Sequence, residues 1–146
     1  MGRHKKITTI PIQLLNIEGE GFHLLIESFI NGKAARILVD TGASKTVVDK
    51  KRINNFVAVP ELKLSEQLST GLGTNTMESH TTIIDQLQIG TLLIKNYRTY
   101  IIDISHVNTS YERLKLEPID GVLGSDIMLQ YRAVVDYGKK ILMLSE

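Results

Sequence analysis

Apolar and β-branched residues along this chain come in short runs cut by glycine, asparagine and proline, a pattern of strands joined by turns. Phe22 to Ile30 and Lys33 to Val39 are rich in such residues and are joined by Asn31-Gly32, so they are expected to pair as a hairpin. Upstream, Ile7 to Leu15 is too polar and too broken by Pro11 for a signal segment and is expected as a first strand. Thr46 to Asp49 resumes an extended pattern, and Lys50 to Phe56 is expected as a short helical or irregular connector. Leu62 to Leu68, the bend from Thr70 to Asn75 and the alternating run Thr81 to Ile89 predict a long hairpin. Leu92 to Ile104 predicts a long strand or strand pair. The polar, charged stretch Ser105 to Pro118 offers few core residues and is expected to be a loop. Ser125-Asp126 is expected to cap a short helix to about Tyr131, before a closing hairpin of Ala133 to Asp136 and Lys139 to Leu144 around Tyr137-Gly138. No repeat, low-complexity tract or linker interrupts these elements, so residues 1–146 are expected to form one domain with an N-terminal strand or extension over 1–21.

Composition narrows the chemistry. With 17 basic and 16 acidic residues the formal charge is +1, so nothing in the balance draws the chain to nucleic acid or to an anionic membrane. The absence of cysteine removes disulfides, thiolate catalysis and cysteine-based zinc sites. No run approaches the roughly 18 apolar residues that cross a bilayer, and the expected location is cytoplasmic. His4, His23, His80 and His106 are scattered without ligand spacing, so no metal site is expected among them, and the carboxylate chemistry considered next calls for no metal and no organic cofactor. Lys50-Lys51-Arg52 and Lys139-Lys140 are expected as solvated turns.

The chemically informative segment is Ile37-Leu38-Val39-Asp40-Thr41-Gly42-Ala43-Ser44, which sets a lone carboxylate at the end of an apolar strand and follows it with a tight turn. A second segment, Ile119-Asp120-Gly121-Val122-Leu123-Gly124, supplies two apolar residues and a glycine suited to pack beneath such a loop. Amide hydrolysis by carboxylates needs two of them: one ionised to take a proton from water, one protonated to polarise the scissile carbonyl. Two carboxylates this close share a proton and titrate as a pair. Asp-Thr-Gly occurs once in the chain, and Asp49, Asp103, Asp120 and Asp136 lack the motif. Asp120 precedes a glycine, but a buried or turn-forming role is expected for it. If the protein is a hydrolase of this kind, its second aspartate must come from another copy of the chain.

From about Phe22 to Leu144 the chain resembles the retropepsin-like aspartic peptidases of the bacterial and cellular type. The resemblance implies an all-β, retropepsin-like (acid protease) closed β-barrel with one short C-terminal helix. It implies an aspartic endopeptidase acting on a peptide or protein substrate as a homodimer, with Asp40, Thr41 and Gly42 catalytic. In this family the Thr41 hydroxyl is expected to bond across the two-fold axis, and Gly42 is expected to permit a backbone conformation that a side chain would hinder and to leave its N–H for the carboxylate. Leu123 and Gly124 are expected to support the catalytic loop. Ser69 to Thr74 corresponds to the flap, a hairpin tip that closes over substrate. Substrate contacts are expected from Ala43, Val47, Gly71, Leu72, Gly73 and Val122, with a preference for apolar side chains flanking the cleaved bond. Retroviral members carry acidic residues after Asp-Thr-Gly-Ala and an arginine after the supporting glycine, whereas Ser44-Lys45 and Ser125-Asp126 stand here. The ion pairs that tie retroviral dimers are therefore not inherited, and the longer N-terminal segment is placed to alter the terminal sheet that joins those subunits.

Other chemistries fit less well. Gly71-Leu72-Gly73 lacks the third glycine and the strand-to-helix setting of a dinucleotide site, and Gly42-Ala43-Ser44 lacks the glycine spacing of a serine nucleophile elbow. Two functions remain: a homodimeric aspartic endopeptidase, or a catalytically silent or latent peptide-binding or dimerisation module on the same fold. The intact Asp-Thr-Gly favours the first, since a non-hydrolytic module has no chemical need for all three residues.

Overall fold

The computed structural model describes residues 6–19, 21–58, 63–64 and 80–146. The hairpin read from Asn31-Gly32 forms as expected, with β3 (Gly21–Ile30) antiparallel to β4 (Lys33–Val39). Asn31 and Gly32 take φ of 50° and 80°, the left-handed pair whose twist suits a two-residue turn between twisted strands. Asn31 also ties the turn down, donating its N–H to the Gln86 carbonyl at 2.8 Å and accepting the Gln86 N–H on Oδ1 at 3.0 Å.

Past β4 the chain makes the Asp-Thr-Gly turn and enters β5 (Val47–Asp49). A later strand, β9 (Gly121–Leu123), slots between the two, parallel to β4 and antiparallel to β5. The backbone short of β7 (His80–Ile89) includes β6 (Lys63–Leu64), which lies on β7. β7 turns at Gly90 into β8 (Leu92–Ile102), which runs parallel to β5. Phe29 and Ile30 pair with Gln88 and Leu87, so the order β3-β4-β9-β5-β8-β7 returns to β3 and closes a six-stranded barrel. A closed barrel leaves no free edge along those pairings.

Ile26, Ile30, Ile37, Val39, Val48, Ile84, Ile101 and Leu123 fill the interior. Alternate residues of the inserted strands point the other way, so Val47 and Val122 join Leu15, Ile17, Leu25, Ile104, Tyr111 and Ile119 in a second cluster. Strands apolar on both faces are what burial on both sides requires.

Three readings differ from expectation. Ile7 to Leu15 is not one strand: β1 (Ile7–Pro11) and β2 (Gln13–Ile17) separate at Ile12, whose N–H goes to the Lys140 carbonyl at 2.8 Å. β2 joins the barrel sheet on β3, while β1 pairs with β11 (Ile141–Ser145), itself paired with β10 (Val134–Asp136). The terminal sheet is thus built within one chain. Second, residues Ser105 to Pro118 are not a plain loop, since α1 (Ser105–Arg113) occupies most of them. Ile104, Val107, Tyr111 and Leu114 recur at helical spacing and all meet the second cluster, with Tyr111 wholly buried. Third, the short C-terminal helix forms where expected, as α2 (Ser125–Gln130), but its N-cap is Gly124 with no side-chain cap bond, so Ser125 and Asp126 do not cap it. No helix among the described residues is long and apolar enough to cross a membrane.

Candidate active site

Asp40 leaves β4 directly after buried Val39, and its backbone N–H donates to the Leu123 carbonyl at 3.0 Å. Its carbonyl accepts the Ala43 N–H at 3.1 Å, and its Oδ1 accepts the Gly42 N–H at 2.9 Å. The carboxylate is therefore held by its own loop while the loop itself, from Asp40 to Gly42, is exposed. Among the described residues the Thr41 side chain makes no hydrogen bond in the single chain. Gly42 gives its N–H to the carboxylate with φ outside the left-handed region, and a Cβ there would crowd the same carboxylate, at 3.3 Å from Asp40 Oδ1.

The supporting segment approaches the loop as expected. A Cβ on Gly124 would stand 2.6 Å from the Lys45 carbonyl carbon and oxygen and 2.9 Å from the Ala43 oxygen. Next to it, the Ser125 N–H donates to the Ala43 carbonyl at 2.7 Å. Leu123 is buried in the barrel interior, anchoring the segment from behind.

A side-chain network completes this junction. Thr46 Oγ1 accepts the Gly124 N–H at 2.9 Å and donates to Asp126 Oδ1 at 2.8 Å. Tyr97 donates its hydroxyl to Asp126 Oδ2 at 2.5 Å. Burial, followed by the hydrogen bond and charge of Asp126, raises the Tyr97 phenol well above its ordinary pKa, so it remains a donor. None of these three residues stood out as a site residue in the sequence; Thr46 and Asp126 flank the two motifs, but Tyr97 carries no local signal.

Of the expected substrate contacts, Ala43 is half-buried at the edge of the loop, and Val47 and Val122 are paired across adjacent strands, each 8% exposed in the cluster beneath α1. Gly71, Leu72 and Gly73, with the rest of the expected flap, lie outside the described residues.

Asp120, Asp49 and Asp103 have structural partners. Buried Asp120 accepts the Arg36 N–H at 2.8 Å and pairs with Arg52 Nε at 2.5 Å, in keeping with the buried role expected for it. Asp49 Oδ1 accepts the Ile104 N–H at 3.2 Å, and Asp103 accepts the Ser105 N–H and hydroxyl, which lower its pKa. No cluster of three or more His, Asp or Glu groups among the described residues is placed to hold a metal.

Comparison with solved structures finds the same architecture. A retropepsin-like aspartic protease from Rickettsia conorii superposes with a TM-score of 0.55 at 18% identity, over 99% of this chain and 95% of that one. The retroviral protease-like domain of Ddi1 from Leishmania major gives 0.57 at 15% identity, covering 84% and 87%. EIAV protease in complex with an inhibitor gives 0.55 at 21% identity, covering 84% and 99%. At these identities the likeness establishes a retropepsin-like fold. No curated protein matches the sequence. The family model described as aspartyl protease matches residues 26–127, a span that holds β4, the Asp40 loop and the Gly124 support. With the motif at the end of its strand and the barrel closed around it, the chain belongs to the aspartyl protease family.

Proposed function

We propose that this protein is an aspartic endopeptidase whose active site assembles from Asp40 of two copies of the chain. The observation that carries this is the state of Asp40: oriented by the Gly42 N–H, backed by Leu123 and Gly124, and exposed on a loop that contains one carboxylate where the chemistry needs two. A second loop across a two-fold axis supplies the missing group and covers that surface. One carboxylate then takes a proton from a water held between them while the other donates a hydrogen bond to the scissile carbonyl. The water oxygen attacks the carbonyl carbon, and the tetrahedral intermediate collapses as the leaving nitrogen is protonated. Thr41 on each loop has a free hydroxyl to bond to the opposing loop and hold the two carboxylates in register. The substrate is an extended peptide with apolar side chains flanking the cleaved bond. The protein works in the cytoplasm, as one domain and without metal or cofactor.

The test is cleavage of an unstructured protein substrate from acidic to neutral pH, comparing wild type with Asp40→Asn over a range of protein concentrations. Expected are a rate that rises more than linearly with concentration and its loss in the variant. Cleavage by Asp40→Asn at the wild-type rate overturns the assignment of the residue. Cleavage strictly proportional to concentration, from a chain that sediments as a monomer, overturns the shared site.

A further inference from the structure

The catalytic loop is pinned to the supporting segment at three points. At its entry, the Asp40 N–H donates to the Leu123 carbonyl. In its middle, the Ala43 carbonyl accepts the Ser125 N–H. At its exit, the Gly124 N–H donates to Thr46 Oγ1 at 2.9 Å. The first two are backbone to backbone and have one possible sense. The third runs through a hydroxyl, which rotates, so something must aim it.

Asp126 does the aiming. A threonine hydroxyl has one hydrogen and two lone pairs. When Asp126 Oδ1 takes that hydrogen at 2.8 Å, the lone pairs are left for Gly124. Tyr97, half-buried on β8, holds the other oxygen of Asp126 at 2.5 Å, so the carboxylate cannot swing away from Thr46. No Lys or Arg among the described residues lies within ion-pair distance of Asp126. Nor does its carboxylate cap α2, whose first turn it occupies. A half-buried carboxylate held, among the described residues, by two hydroxyls, one of them bonded to the backbone under the Asp40 loop, is placed for positioning.

We infer that Asp126, braced by Tyr97, is a positioning residue that orients the Thr46 hydroxyl and thereby sets where the Asp40 loop sits against Gly124. This rests on the proposed peptidase activity for its kinetic consequence but not for its structural one. Misplacing a reacting group by a fraction of an ångström lowers turnover more than binding, because the lost alignment matters most in the transition state.

The experiment compares wild type, Asp126→Ala, Asp126→Asn, Tyr97→Phe and the remote core variant Leu142→Ala. Two readouts are used: steady-state cleavage, and hydrogen exchange over residues 40–46 and 123–126. Asp126→Ala is expected to lower kcat about ten- to a hundred-fold with KM nearly unchanged. It is also expected to speed exchange in those two segments at least about tenfold. Asp126→Asn, which keeps an acceptor for Thr46, is expected to recover most of both effects, and Tyr97→Phe to fall between. Leu142→Ala, which lowers overall stability, is expected to leave the local exchange difference absent. If Asp126→Ala changes exchange in those segments no more than Leu142→Ala does, or if Asp126→Asn rescues nothing, the inference is overturned. Should wild type cleave nothing, the peptidase proposal fails, while the exchange comparison still decides whether Asp126 positions the loop.

Discussion

Gly124 and Lys45 are in backbone contact: a Cβ on Gly124 would be 2.6 Å from both the carbonyl carbon and oxygen of Lys45. Real Cβ atoms do not tolerate that approach, and the obstacle is main chain, which cannot rotate aside. Gly124→Ala must therefore push the Asp40 loop off its support. We expect a loss of about 1–3 kcal/mol in unfolding free energy and loss of cleavage. Urea unfolding monitored alongside activity checks both; an alanine variant with wild-type stability would show that the two segments are not in contact.

The proposed sharing of the site between chains has a quantitative consequence. Mixed with a tenfold excess of Asp40→Asn chains, under conditions where dimers are saturated, most wild-type chains pair with a dead partner. Activity per wild-type chain is expected to fall to about a tenth. Adding the same excess of an unrelated protein is the control, and an unchanged rate in the mixture would mean that each chain acts alone.

Asp120 tests whether a buried aspartate beside a glycine is catalytic or structural. It accepts the Arg36 N–H and pairs with Arg52, whose side chain is itself about one-third exposed. Asp120→Ala strands a buried donor and is expected to cost about 1–3 kcal/mol, seen as a lower denaturant midpoint. Asp120→Asn keeps an acceptor, is expected to cost less, and is expected to retain cleavage once folded.

Alkaline stability depends on two tyrosines. Burial pushes the Tyr111 phenol up to about 12, against a smaller opposing pull from Arg36, and Tyr97 is raised as well. The unfolded chain then releases these protons near the ordinary value of about 10, before the folded one does. The stabilisation is complete below about pH 10 and is lost as pH rises toward the folded values, because the native state binds more protons there. Equilibrium unfolding from pH 8 to 12 should show that decline, with Tyr111→Phe flattening it. The same variant removes the 2.8 Å bond between the Tyr111 hydroxyl and His23 Nδ1 and is expected to cost about 1 kcal/mol at neutral pH.

What the sequence by itself determined is what lies contiguous along it. The hairpin at Asn31-Gly32, the apolar run into Asp40 and the two apolar residues before Gly124 are each local, so turn chemistry and strand alternation expose them directly. The proposal of a partner chain is read in the same local way, from one Asp-Thr-Gly set against a reaction that uses two carboxylates. Polar composition hid α1, because Val107, Tyr111 and Leu114 are spaced for a helix among residues that otherwise read as loop, and only docking on the second cluster makes that spacing meaningful. Pro11 marks the break between β1 and β2, but that the two halves join different sheets depends on long-range pairing, which no local pattern records. The Thr46, Asp126 and Tyr97 network lies furthest from view: its bonds join residues 80 and 29 positions apart. Hydrogen bonds across such separations exist only once the barrel has closed, since the chain entropy of bringing those residues together is repaid by packing of the whole core.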